Sequence, residues 1–541
     1  MQMPPSSSSN TAQCGYWLPE NGKTFFNRHE LVQAAHAVRH TVYIIFDSAK
    51  NSIGAAFGGR LSAAKQDSSY VCLGVLPPLY PEWLGDRLFT ETHGVRFPYV
   101  IGEMARGIAS EALVIAAAKT GVLGFFGAAG FPVARVAKAI DQINAALPQG
   151  TPWGCNIIHN PDDPAGEMQL VELLLQRNIT IASAAAFMNL TPAIVRYAIT
   201  GLRHTSAGIA RKNALFAKVS RPEVARLFMS PAPDNILRVL LEKQFITPEE
   251  ADLAKKVPVA EDITVEADSG GHTDNRPLVA IFPAILEERN RLQSAFGYAR
   301  PIRLGAAGGI GTPEAAAAAY ALGASYVLTG SINEASLEAG ISAKAKAMLA
   351  AADVADVAMC PAADMFELGI KVQVLKRGTL FAQRASLLYD IYRQYRDLAE
   401  IPADVRQRLE QQIFRKPLDA VWEETRQFFL TRKPEEADKA EKNPKYKMAL
   451  IFRWYLGNGS RWAVEGTPDR VQDYQIWCGP AMGAFNSWAK GSFLEDPNAR
   501  SAEQITKNML EGAAVLTRAH QLRNYGIPLP SEAFDFKPRV L

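Results

Sequence analysis

The chain has 541 residues, of which 48% are apolar and 21% charged, the balance of an ordinary folded protein; this excludes a disordered, collagenous or coiled-coil chain. Its 58 basic and 55 acidic residues leave a net charge of +3 spread along the length, so no global field marks nucleic acid or an anionic membrane as a partner. Five cysteines (Cys14, Cys72, Cys155, Cys360, Cys478) stand far apart, odd in number and outside metal-ligand spacing, which fits a reduced cytoplasmic protein rather than a disulfide framework.

Residues 1–10 have neither a basic n-region nor an apolar h-region, and read as a frayed tail rather than a secretory signal. No run of 18 apolar residues predicts a transmembrane span. Residues 1–95 form this tail and a small leading region, with strand-like runs at 41–46 and 70–75. From about residue 96 short apolar runs alternate with helical periodicity. Strands are predicted at 99–102, 123–126, 153–157, 179–182, 215–219, 263–266, 302–304 and 326–328. Helices are predicted between them at 108–119, 132–145, 166–176, 192–199, 222–229, 278–292 and 313–322.

This alternation predicts a (β/α)8 barrel over 96–355, an α/β fold, with an open doubly wound sheet as the alternative. An insertion at about 231–260 carries two helix-like pieces, one opening at Thr247. Residues 356–541 read as a helical C-terminal region, including a helix-rich run at 365–398. The charged, Pro-bounded stretch 433–444 reads as a linker or solvated loop.

The strongest chemical signal follows the seventh strand. Gly308 and Gly309 precede Thr312, a candidate N-cap, and Pro313 at a first helical turn. Such a loop frees backbone N–H groups for a phosphate at a helix N-terminus. The eighth strand ends likewise in small residues, Thr329, Gly330 and Ser331, and adjacent loops of this kind commonly share one phosphate site in barrels. The competing reading is that these glycines only make tight turns. After the sixth strand, Gly270 and Gly271 lead to His272 at the barrel mouth, where an imidazole can donate a proton or orient a carbonyl; the alternative is a hydrogen bond to a neighbouring loop. Gly102 and Met104 close the first strand, and the thioether suits a flat aromatic ring or a core. The small residues within 123–130, at the end of the second strand, leave room for a cofactor edge. Asn156 ends the third strand and offers a bidentate amide, or closes a turn.

Together these segments resemble the flavin-binding barrels of the nitronate monooxygenase and FMN-dependent enoyl reductase group. Gly102-Glu-Met104, Asn156, Ser269-Gly-Gly-His272 and Gly308-Gly-Ile310 are the counterparts of that group's motifs. His93-Gly-Val-Arg-Phe-Pro-Tyr99, the run from Asp364 through Lys371 to Thr379, Phe381-Ala-Gln-Arg-Ala-Ser386 and the run from Tyr474 to Asn486 are similar to PfaD-type trans-acting enoyl reductases of polyunsaturated fatty acid and polyketide synthases. Glu103 and Arg106 depart from the pattern, which has a small residue and Asn there.

The resemblance implies FMN, with NADPH as reductant, and a 2,3-enoyl thioester on an acyl carrier protein domain of a synthase. It implies no nucleic acid or membrane partner and allows a homodimer. It assigns His272 to the thioester, Met104 and Asn156 to the isoalloxazine, and Gly308, Gly309, Thr329, Gly330 and Ser331 to the phosphate. Glu266 is assigned to the ribityl chain or to a structural role; Gly102, Gly270 and Gly271 complete the cofactor site. Lys371, Lys376, Arg377, Arg384 and Arg393 offer a basic face to a carrier protein, with a solvated surface as the alternative. Two other functions stay open: a monooxygenase acting on a small free substrate, and a non-catalytic member of a synthase.

Overall fold

The structure, a computed structural model, describes residues 14–161 and 163–541; the tail expected at residues 1–10 lies outside them. The described chain forms two compact units, one of residues 14–84, 313–318 and 506–541, the other of 85–312 and 319–505.

In the first unit, six strands form one sheet in the order Lys23–Phe25, Ser52–Phe57, Val42–Asp47, Tyr70–Leu76, Tyr16–Leu18, Arg60–Ser62. The runs expected at 41–46 and 70–75 are neighbours in it. Its apolar core, with Phe25, Leu31, Val42 and Ile44, is completed from the other end of the sequence by Ala519, Leu522 and Ile527. Arg518 is buried there and donates to the carbonyls of His40 and Pro77.

The second unit contains a closed barrel of eight parallel strands. They are β1 (Tyr99–Ile101), β2 (Leu123–Phe126), β3 (Gly154–Ile158), β4 (Ile181–Ala185), β5 (Ala214–Val219), β6 (Asp262–Glu266), β7 (Arg303–Ala307) and β8 (Tyr326–Thr329). Pairing of β8 with β1 (Val327 with Tyr99) closes the ring and excludes the open sheet. Helices follow where the periodicity placed them: α1 (Glu111–Thr120), α2 (Val133–Ala146), α3 (Pro164–Gln176), α4 (Pro192–Ile199), α5 (Pro222–Met229), α6 (Leu278–Phe296) and α7 (Pro313–Ala321). Proline occupies a first-turn position in α3, α4 and α5, where its missing N–H costs nothing. The insertion holds helices Asp234–Glu242 and Pro248–Ala254, the latter opened by a capping box of Thr247 and Glu250.

Two stretches differ from their sequence reading. The run 365–398 contains a strand, Lys371–Leu375, before the helix Phe381–Gln394; its β-branched residues alternate, and Val372 and Val374 are buried. The stretch 433–444 is helical over Pro434–Lys442. Glu435 and Glu436 in its first turn and Lys439 and Lys442 in its last complement the helix dipole, while Ala437 and Ala440 are buried. Beyond it run Pro444–Glu465 and further helices. Trp454 packs edge-on against Trp462. Among the described residues no helix is long and apolar enough to cross a membrane.

The barrel interior is layered. Phe125, Phe216, Tyr326 and Phe89, the last from the helix Arg87–His93 that precedes β1, fill its middle. Below them Asp262 accepts from Arg303 Nε and Nη2 at 2.7 and 2.6 Å and lies 3.1 Å from His93 Nε2. Burial alone would push the Asp262 carboxyl up; the charges of His93 and Arg303 hold it well below the usual carboxylate range. The stability this lends is present above the ordinary aspartate pKa and is lost only as pH falls through the depressed one. Removing one member of such a buried cluster strands the others, at a cost of about 3–5 kcal/mol. Asp262→Asn should therefore lower the thermal unfolding midpoint strongly at pH 7. Glu424→Gln, which breaks the more exposed Lys416–Glu424 pair, should leave it nearly unchanged; a thermal-shift comparison of the two variants checks this.

Candidate active site

Side chains two residues apart along a strand face the same side, so β6 directs Asp262 to the floor, Thr264 to the middle layer and Glu266 to the C-terminal mouth. Thr264 Oγ1 lies 2.7 Å from Tyr326 OH. On β5, Phe216 fills the middle and Lys218 reaches the mouth. Lys218 Nζ lies 3.3 Å from Glu266 Oε1 and 3.3 Å from Glu103 Oε1. Burial opposes the lysine's charge, but the two carboxylates outweigh it and raise its pKa. Glu103 also accepts from Ser183 Oγ on β4 at 2.9 Å, and its Oε2 is buried without a hydrogen-bond partner. The sequence reading missed Lys218; the sole signal for it was a cation at the penultimate position of an otherwise apolar strand.

Asn156 on β3 is buried and donates to the Ser183 carbonyl at 3.3 Å. Cys155 beside it is fully enclosed, its thiol pushed up to about 12 by burial, which removes it as a nucleophile. Gly102 N donates to Thr329 O at 3.0 Å, and a Cβ on Gly102 would press on the Leu328 side chain, with Cδ2 at 2.5 Å, so a larger residue would have to displace that leucine at the β1–β8 seam. Met104 stands on the next loop. Its carbonyl would be 1.8 Å from a Cβ on Gly127, so at that one position glycine is required by the close approach of the β1 loop. Arg106 holds a left-handed backbone (φ 57°), a conformation easier for the Asn of the related motif, and its guanidinium donates to Gly457 O at 3.2 Å.

After β7, Gly308 and Gly309 both have positive φ (84° and 73°). A Cβ on Gly308 would press on the Ala267 backbone at 2.7 Å, whereas no atom lies within 4 Å of a Cβ position on Gly309. Nor does any atom lie within 4 Å of a Cβ position on Gly330 after β8. At Gly309 and Gly330 the two loops therefore leave backbone open where side chains would otherwise stand, which fits a phosphate approached by backbone amides. The adjoining hydroxyls also have partners within the chain. Thr329 Oγ1 lies 2.7 Å from Tyr99 OH and accepts from Asn333 Nδ2, and Ser331 Oγ accepts from Gly479 N at 3.1 Å.

His272 lies on the short strand Gly271–His272, which pairs antiparallel with Lys371–Leu375, itself paired with Val357–Pro361. Gly271 has φ 79°, and a Cβ on Gly270 would meet Cys478 N at 2.8 Å. The turn before His272 is therefore pressed between Lys371–Leu375 and the segment 477–479. Gln373 Nε2 fastens it further by donating to Asp268 Oδ1 at 2.7 Å and Ser269 O at 2.8 Å. The imidazole Nε2 lies 3.0 Å from Asp364 Oδ2. Of the basic residues expected to face a carrier protein, Arg384 instead pairs with the fully buried Asp473, while Lys371, Lys376, Arg377 and Arg393 are exposed.

With this barrel and mouth in view, comparison places the chain. Residues 87–413 match the nitronate monooxygenase family, and residues 395–474 match the inserted helical domain of acyl-carrier-protein S-malonyltransferases. The chain belongs to the nitronate monooxygenase family of flavin oxidoreductase barrels. The enoyl reductase domain of MlnA, from the macrolactin cluster of Bacillus amyloliquefaciens, is 38% identical to it. That alignment covers 82% of this chain and 99% of that domain, with a TM-score of 0.78. A component of the polyunsaturated fatty acid synthase of Thraustochytrium sp. is 48% identical over 84% of this chain and 31% of its own length. The polyketide biosynthesis protein PksE of Bacillus subtilis is 43% identical over 80% of this chain and 56% of its own. The chain thus spans from about a third to little more than half of these curated relatives. The family resemblance drawn from the motifs is borne out.

Proposed function

We propose that this protein is an FMN-dependent enoyl reductase that takes electrons from NADPH and reduces the 2,3-double bond of enoyl thioesters on acyl carrier protein domains of a fatty acid or polyketide synthase. The match along nearly the whole of the MlnA enoyl reductase domain carries the reading. The similarity of residues 395–474 to a domain of enzymes that act on acyl carrier proteins favours a carrier-bound substrate over a small free one.

Gly308, Gly309 and Gly330 would hold the FMN phosphate through backbone amides. Lys218, Glu266 and Glu103 would give the polar edge of the ring and the ribityl chain a charged, hydrogen-bonding wall, and Asn156 and Met104 would border the isoalloxazine. When bound, the flavin supplies hydride transfer. The remaining chemistry belongs to the chain: exclude water, orient the thioester and manage one proton. His272 is held at the mouth by a clamped turn. It serves the thioester oxygen as hydrogen-bond donor, or the α-carbon as acid, as the double bond is reduced.

Gly309→Asp puts a side chain and a like charge into the phosphate cradle, so the purified variant should be colourless. Stoichiometric FMN in it would overturn the cradle assignment. His272→Ala should keep FMN and be reduced by NADPH at the normal rate, while reoxidation by enoyl thioester slows about a hundred- to a thousand-fold, the cost of one such donor; stopped-flow spectroscopy separates the two half-reactions. Turnover should be much faster with an enoyl group on a cognate carrier protein than with a simple thioester mimic at equal concentration. Equal efficiency would favour a free-substrate oxidoreductase of the same family.

A further inference from the structure

The neighbour of His272 that matters most in this geometry comes from outside the barrel, 92 residues away in sequence. Asp364 stands in the connection between Val357–Pro361 and Lys371–Leu375, whose base is closed by Ala362 N donating to Ile370 O at 2.8 Å. Two residues on, Phe366 is fully buried among Tyr389, Tyr392 and Phe452, which anchors the connection. In the loop that leads to His272, Asp268 accepts from both Gln373 and Asn275, each at 2.7 Å, which holds that loop in place. The ring is thus fixed from two directions: its backbone by the strand pairing, its Nε2 by the carboxylate.

We propose that Asp364 is the positioning residue of this site, orienting the His272 imidazole so that Nδ1 is left for the substrate and keeping a proton on the ring. The inference rests on the reading of His272 as the group that serves the thioester. A carboxylate accepting from one ring nitrogen fixes the tautomer and favours the protonated ring, as an orienting acid does for a catalytic histidine generally. The charges around the pair are consistent with this. Burial pulls the imidazole toward its neutral form, the hydrogen bond and charge of Asp364 push the other way with help from Glu266, and Lys218 opposes; the balance is a raised His272 pKa. Asp364 faces His272 and, more distantly, Arg453, and its own carboxyl is lowered although burial opposes this. Because the Asp364 side chain is 54% exposed, solvent screens the pair and the effect is modest.

The test follows flavin reoxidation by carrier-bound enoyl thioester against pH in the holoenzyme. In the wild type the rate should fall as pH rises through the His272 pKa. In Asp364→Asn this limb should move to lower pH by up to about one unit. FMN content and reduction by NADPH should stay unchanged, and Asp364→Glu should restore the limb toward its original position. Because Asp364 is exposed, Asp364→Ser serves as a second variant with the same expectation. A limb that stays in place in both Asp364→Asn and Asp364→Ser, while His272→Ala slows reoxidation, overturns the role of Asp364 and leaves the enoyl reductase reading intact. Reoxidation and its pH profile unchanged in His272→Ala would remove the roles of both His272 and Asp364, whereas absence of reoxidation by enoyl thioester in the wild type would remove the enoyl reductase reading itself.

Discussion

Asp262 keeps its negative charge in the barrel interior because Arg303 on β7 and His93 on the preceding helix meet it there. An ion in that position is tolerated only with its partners in place, so the contact fixes the register of β6 against β7 and seats the helix that plugs the floor. Everything above follows by the two-residue repeat of the strand. Thr264 meets Tyr326 in the middle layer, and Glu266 arrives at the mouth beside Lys218. A slip of one residue would turn all three side chains outward and dismantle floor, core and site together.

At the mouth, one ammonium group stands between two carboxylates and a third acidic group, Asp364, holds the imidazole. Polar side chains of β4, β5 and β6 meet Glu103, which reaches them across the mouth from the end of β1, while the β7 and β8 loops present bare backbone at Gly309 and Gly330. The site therefore divides into a charged wall and an open glycine cradle.

The barrel was legible because its strands are apolar runs punctuated by capped, Pro-started helices, and all eight fall where the sequence placed them. The glycine loops and His272 were legible because their chemistry is local: Gly-Gly before a helix start, Gly-Gly before a histidine. Lys218, Glu103 and Asp364 were not assigned these roles, since each acquires its meaning from a partner brought close only by ring closure or by a strand added from the C-terminal region. Thr329 and Ser331 were named for their residue type, and the contacts of their hydroxyls with Tyr99, Asn333 and Gly479 come from partners far away in sequence or set by the local turn. The helix Pro434–Lys442 escaped notice because its composition resembles a solvated linker, and two small buried alanines are a faint signal.

The turn carrying His272 is clasped by Lys371–Leu375 and by residues 477–479, with Gly270 kept bare by the backbone of Cys478. Barrel and clasp are therefore one unit of inheritance. Chimaeras that exchange the barrel between synthases while keeping the host's C-terminal region would set a foreign clasp against the histidine turn. Productive recombination points then lie outside the span from β1 to residue 479, and substitutions at Gly270, Gln373 and Cys478 should drift together rather than singly.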